Sequence, residues 1–196
     1  MQKIKEKYEQ KCSAVCDINE HIPTLHKYSL GCEHITEMGT REITSTWAFL
    51  GAKPKKFVGI DVYVSPNLPE AKQLAEENGI EFVFLHQSTL EDGFVIEPTD
   101  FLFIDTAHTY AQLSQELARH AGQVKKYIGF HDTTTYGFVN EPPYKENEHI
   151  EAAVGPNAPT GLRPAITEFV QAHPEWKIID VYENNNGLTI MERKGL

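Results

Sequence analysis

The stretch that most constrains the fold runs from Thr99 to Gly137, TDFLFIDTAHTYAQLSQELARHAGQVKKYIGFHDTTTYG. Two apolar runs, Phe101-Leu102-Phe103-Ile104 and Tyr127-Ile128-Gly129-Phe130, have strand length and end in polar chemistry. Asp105 closes the first, and His131-Asp132 close the second. Between them, Tyr110, Leu113, Leu117 and Ala121 recur at spacings of three and four, the stripe of a helix packed by one face. Thr109-Tyr110-Ala111-Gln112 ahead of that stripe fits a capping box. If the two strands are parallel neighbours, their C-terminal ends lie roughly 4.8 Å apart on one sheet edge, the edge where open α/β sheets bind ligands. Asp105, His108, His131 and Asp132 would then share one small volume, which is unfavourable unless a cation or hydrogen bonds offset the crowding.

The rest of the chain repeats the alternation. The first thirty residues read as a helical lead-in, with Ile4, Tyr8 and Cys12 at i, i+4 and i+8 and an interruption at Pro23. His34 to Met38 is a short strand running into Gly39, and 44–50 is its helix. A strand over 57–61, a helix over 69–78 with Pro69 in its first turn and Gly79 as its stop, and a strand over 80–85 follow. Ile166, Phe169 and Val170 mark a later helix that Pro174 ends. The tail offers strands over 176–182 and 187–191, joined by the turn-rich Glu183-Asn184-Asn185-Asn186 and close enough to pair antiparallel. These elements imply one three-layer α/β domain over 1–196, with a mostly parallel sheet and a C-terminal antiparallel hairpin. The polar, proline-bearing segment 133–163 reads as a long loop, of the kind that serves as a lid or substrate loop.

With 196 residues the chain can bury a sizeable core. A formal net charge of -10 argues against nucleic acid or an anionic membrane as partner, though not against a small anionic ligand. Cys12, Cys16 and Cys32 are odd in number and lack CxxC spacing, so the expected setting is a reducing cytoplasm. The N-terminal MQKIKEKYEQK has charges but no apolar segment, and no apolar run approaches a membrane span.

Three features carry chemistry. The strand–turn Glu37-Met38-Gly39-Thr40-Arg41 can present backbone N–H groups to a nucleotide-like ligand, with Gly39 allowing close approach. Asp61 ends the next strand, where a carboxylate can accept hydrogen bonds from a ribose. A full GxGxxG is absent, so a dinucleotide site has little support. In the third feature, hard oxygen ligands favour Mg²⁺ or Mn²⁺, with Asp105 and Asp132 as the main candidates. His131 can join them only if the strand kinks, since adjacent strand residues face opposite ways. His108, three residues after Asp105, is a candidate general base or a plain surface histidine.

On these residues the chain resembles a class I S-adenosylmethionine-dependent methyltransferase. It is most similar to the group that includes rhamnosyl O-methyltransferases and cephalosporin hydroxylase-like proteins. The resemblance spans about residues 34–193 and is carried by E-M-G-T-R at 37–41, F-V-G-I-D at 57–61, F-I-D-T-A-H-T-Y at 103–110 and F-H-D-T at 130–133. G-L-R-P-A-I-T-E-F at 161–169 and N-N-G-L-T-I at 185–190 add to it. It implies a Rossmann-like methyltransferase fold and S-adenosylmethionine as cofactor. Glu37, Gly39 and Thr40 would lie on the methionine side and Asp61 on the ribose, with Gln87-Ser88-Thr89 near the adenine. Asp105, His131 and Asp132 resemble metal positions of metal-dependent O-methyltransferases, with Asp105 and His108 assisting catalysis. One departure is clear: the family's first turn usually carries a further glycine where this chain has Ile43. The expected reaction is O-methylation of a small hydroxylated acceptor such as a sugar or secondary metabolite, by a protein that can form homo-oligomers. A nicotinamide-dependent reductase, a metal-dependent hydrolase and a non-catalytic binding protein with the same fold are the alternatives.

Overall fold

The computed structural model describes residues 1–142 and 148–195. Helices α1 (Gln2–Ser13) and α2 (Ile22–Ser29) form the lead-in, joined through a short 3-10 turn at Asn19–His21. Pro23 occupies the first turn of α2, where its missing N–H removes no hydrogen bond, so it starts this helix. Then follow β1 (His34–Met38), α3 (Thr46–Gly51), β2 (Lys56–Asp61), α4 (Leu68–Glu77), β3 (Glu81–His86) and β4 (Thr99–Ile104). The chain continues through α5 (Tyr110–His120), β5 (Val124–His131), α6 (Glu148–Val154), α7 (Leu162–Ala172), β6 (Trp176–Tyr182) and β7 (Leu188–Arg193).

The seven strands form one sheet in the order β3-β2-β1-β4-β5-β7-β6. All neighbours are parallel except β7, which runs antiparallel to both β5 and β6. Strand order reverses between β1 and β4, so their C-terminal ends flank the switch point where such sheets open a crevice. β4 lies at the centre and every residue of it is buried, which is why 101–104 read as an unbroken apolar run. Its side chains divide by parity. Phe101 and Phe103 pack with Ile35 and Phe57 under α1, α2, α3 and α4, while Leu102 and Ile104 pack with Ile60, Ile128 and Phe130 under α5 and α7. Covering both faces stabilises the sheet by about 1.5–3 kcal/mol for each such side chain taken from water.

The expected elements appear with shifts of a few residues at their ends, and 176–182 coincides with β6. One expectation needs correction. The segment 133–163 is not a plain loop, because it contains α6; residues 143–147 of the expected lid lie outside the described residues. A second is met by half: Thr109 caps α5 by accepting from Gln112 N at 3.1 Å, but the Gln112 side chain turns to Thr89 and Glu116 rather than back to the cap. No helix among the described residues is long and apolar enough to cross a membrane.

Candidate active site at the C-terminal sheet edge

The turn after β1 is wedged between its neighbours. Gly39 N donates to Ile60 O at 2.9 Å, and Asp105 N donates to Met38 O at 2.8 Å. Gly39 has φ +84°, and a Cβ there would stand 1.9 Å from the Asp105 carbonyl oxygen. Glycine is therefore required here by the close approach of the adjoining strand end. Beyond it Arg41 (φ 38°) and the buried Ile43 (φ 61°) also lie in the left-handed region. A β-branched residue is rare there, so Ile43 marks local strain at the position where the resembling family has glycine.

Two carboxylates hold this turn. Asp61 Oδ2 accepts from Thr40 N and Arg41 N, both at 2.7 Å, and Oδ1 accepts from Tyr63 N at 2.8 Å. Asp61 remains partly exposed, beside the exposed Val62, Tyr63 and Val64. Glu37 is different: it is fully buried, and its two oxygens accept the Ser45 and Thr46 hydroxyls at the start of α3. Burial pushes its pKa up to about 8, against the lowering effect of those two hydroxyls. Glu37 thus braces from beneath the turn that the sequence reading placed beside a cofactor. Ser88 lies after β3 on the same edge, where its hydroxyl accepts from Leu90 N at 3.1 Å.

The second half of the edge brings the acids and histidines together. Asp132 has φ 59°, and this left-handed kink is the break in strand geometry that lets His131 and Asp132 face one point. One ligand-capable atom from each of Asp105, His131 and Asp132 lies within 4.8 Å of the other two. His131 Nε2 lies 3.2 Å from Asn185 O. A carbonyl can only accept, so Nε2 carries hydrogen and Nδ1 faces Asp132 Oδ2 at 2.9 Å and Asp105 Oδ1 at 3.4 Å. Burial disfavours the charged forms here, but the pairing wins. Asp105 is held well below the usual carboxylate range by His108 and His131, and His131 is raised to about 10 by Asp105 and Asp132.

His108 sits over the same carboxylates. Its Nε2 is 3.1 Å from both Asp105 Oδ1 and Asp132 Oδ2, and its Nδ1 is 3.0 Å from Glu141 Oε2. Both nitrogens therefore face acceptors; burial opposes the charge, yet Asp105 and Glu141 raise the pKa to about 10. In this arrangement His108 bridges three acids, and that pairing favours its protonated form. The Tyr136 ring stacks flat on it, with centroids 5.0 Å apart. Glu141 and Tyr136 were missed in sequence because neither stands at a motif spacing from His108, and Asn185 was read as a turn residue with no link to His131.

No family profile matches the sequence, and no curated protein matches it. Solved structures do. An N-methyltransferase, NodS, from Bradyrhizobium japonicum WM9 in complex with S-adenosyl-L-homocysteine is similar at TM-score 0.62 and 13% identity, covering 99% of this chain and 98% of that one. An O-methyltransferase from Bacillus cereus in complex with S-adenosylhomocysteine follows at 0.56 and 16%, covering 99% and 91%. A 1,6-didemethyltoxoflavin-N1-methyltransferase from Burkholderia thailandensis is similar at 0.58 and 11%, covering 99% and 87%. The strand order, the single antiparallel strand and the placement of the turn at the switch point are thus those of the class I S-adenosylmethionine-dependent methyltransferase fold.

Proposed function

We propose that the protein is an S-adenosylmethionine-dependent methyltransferase, assisted by a divalent cation, that methylates a hydroxyl of a small acceptor. The observation that carries the reading is the Asp105–His131–Asp132 cluster at the switch point, one strand away from the turn at Gly39. The residues present fit both groups. Two carboxylates and an imidazole whose Nε2–H is already committed leave Nδ1 and two oxygens converging, a mixed donor set that suits Mn²⁺ or Mg²⁺. On the cofactor side, Asp61 offers a partly exposed carboxylate beside the apolar Val62-Tyr63-Val64, as a ribose and a base would require. Gln87 Nε2, in the segment expected near the adenine, is buried without a protein acceptor.

When bound, S-adenosylmethionine supplies a methyl group activated on a sulfonium, and a divalent cation supplies positive charge beside the acceptor oxygen. The chain's own residues do the rest. Asp105, His131 and Asp132 would hold the cation, while Glu37 and Asp61 keep the neighbouring turn in place. His108, whose Nε2 lies 3.1 Å from Asp105 and Asp132, would in its neutral form be the group placed to accept the proton of the acceptor hydroxyl. Tyr136 and Glu141 keep the His108 ring oriented for that transfer.

Calorimetry with S-adenosylhomocysteine, with Mn²⁺ and then with chelator, tests the cofactor. Transfer of labelled methyl to a panel of sugars and phenols tests the acceptor. Micromolar binding with transfer to a hydroxylated compound is the expected result. Absence of binding in both conditions would overturn the reading and return the chain to a shared fold with another use.

A further inference from the structure

Asn185, the first residue of the N-N-G-L-T-I stretch, was assigned no role from sequence, yet three independent contacts meet on it. Its carbonyl oxygen receives His131 Nε2 at 3.2 Å. Its side-chain amide donates to Cys16 O at 2.8 Å, and its side-chain oxygen accepts from Glu20 N at 3.0 Å. The residue is left-handed, with φ 46°, a conformation that asparagine tolerates better than most residues. The segment 16–21 between α1 and α2 is thus fastened to the turn between β6 and β7. His21 reinforces the seam: its Nε2 lies 2.9 Å from Asn184 O, and its ring meets that of His131 edge-on with centroids 5.8 Å apart. On the far side Thr134 N and Thr135 N donate to Asn186 O at 2.8 and 3.0 Å, tying the same turn to the chain just beyond Asp132.

We propose that Asn185 is a positioning residue for the candidate metal site, and that the N-terminal strap 16–21 acts on that site through it. The inference rests on the metal reading given above. A histidine can present only one nitrogen to a cation, and the partner of the other nitrogen decides which. The Asn185 carbonyl takes the Nε2 hydrogen and so turns Nδ1 toward Asp105 and Asp132. That carbonyl is aimed only while the left-handed turn is held, and the two bonds from the strap hold it. Loss of the side chain should therefore loosen the ring without removing any ligand.

The test compares wild type with Asn185→Gly, which keeps the left-handed backbone and the carbonyl but removes both strap bonds. Asn185→Asp keeps the acceptor for Glu20 N and removes the donor to Cys16 O. Two readouts are needed in the intact chain: Mn²⁺ affinity, and the ¹⁵N shifts of the His131 ring with and without Mg²⁺. Mn²⁺ affinity should fall roughly 10–100-fold in the glycine variant, with the aspartate variant in between. The His131 ring signals should depart from those of wild type in the glycine variant, because the ring loses its fixed Nε2–H bond to the Asn185 carbonyl. Wild-type affinity and an unchanged His131 signature in a folded Asn185→Gly would overturn the inference. If wild type binds no Mn²⁺ the metal reading fails by itself, and the His131 signature of the variants still decides whether Asn185 fixes the ring.

Discussion

Replacing Gly39 by alanine separates two roles a glycine can have in a ligand-binding turn. The new Cβ would stand 1.9 Å from the Asp105 carbonyl oxygen and 2.6 Å from its carbon, both backbone atoms of the central strand end. The neighbouring strands must part by about 1.5 Å to restore ordinary contact. The left-handed backbone alone costs about 1–2 kcal/mol for an alanine, and forced separation of packed strands adds about 1–3 kcal/mol. The expected total is about 3 kcal/mol, or roughly 10 °C in Tm for a chain of this size. Gly79→Ala is the control, since Gly79 has φ +76° but a Cβ there would meet nothing within 4 Å, and only the backbone penalty applies. Urea unfolding followed by the buried Trp47 and Trp176 reads both variants. Gly39→Ala should cost about 2 kcal/mol more than Gly79→Ala and should also weaken Mn²⁺ binding, because Asp105 moves with its backbone. Equal costs would refute the wedge and return Gly39 to the role of making room for a ligand.

Other outcomes follow from the same geometry. Asp105→Asn keeps the shape of the cluster but removes a charge, so Mn²⁺ affinity should fall at least roughly tenfold and methyl transfer should disappear; wild-type affinity would sink the metal assignment. Glu37 is raised to about 8, above its value in the unfolded chain, so it opposes folding increasingly as pH rises through that range. Stability should decline between about pH 5 and 8 by on the order of 3 kcal/mol, and Glu37→Gln should flatten much of that slope; an equal slope in the variant would refute it. Thr109→Ala removes the cap of α5 and should cost about 1 kcal/mol in thermal or urea melts, whereas no change would show that the Gln112 N–H finds another acceptor.

What could be read in the sequence divides along physical lines. β4 and β5 were legible because both faces of each are covered, which leaves apolar runs ending abruptly at Asp105 and His131. The shared edge followed, since parallel strands joined by a helix must place those ends together. Helix α6 was not legible, because Ile150 is its one buried residue and no apolar stripe marks it. The pairing of His108 with three acids was not legible either. It depends on Glu141, 33 residues away, and on the kink at Asp132 that no residue type announces. The left-handed Arg41 and Ile43 illustrate the same gap, for their conformation is imposed by the wedge around Gly39 and the amide bonds to Asp61.

The place of β7 has a consequence for how the molecule is made. β6 emerges from the ribosome before β7, yet β7 is its partner and separates it from β5. Until Arg193 has been synthesised, β6 lacks its full ladder and β5 has an open edge. The turn at 184–187 that backs His131 is in place only when that insertion is complete. A nascent chain therefore carries Asp105 and Asp132 for some time before the turn that backs His131 can close against them.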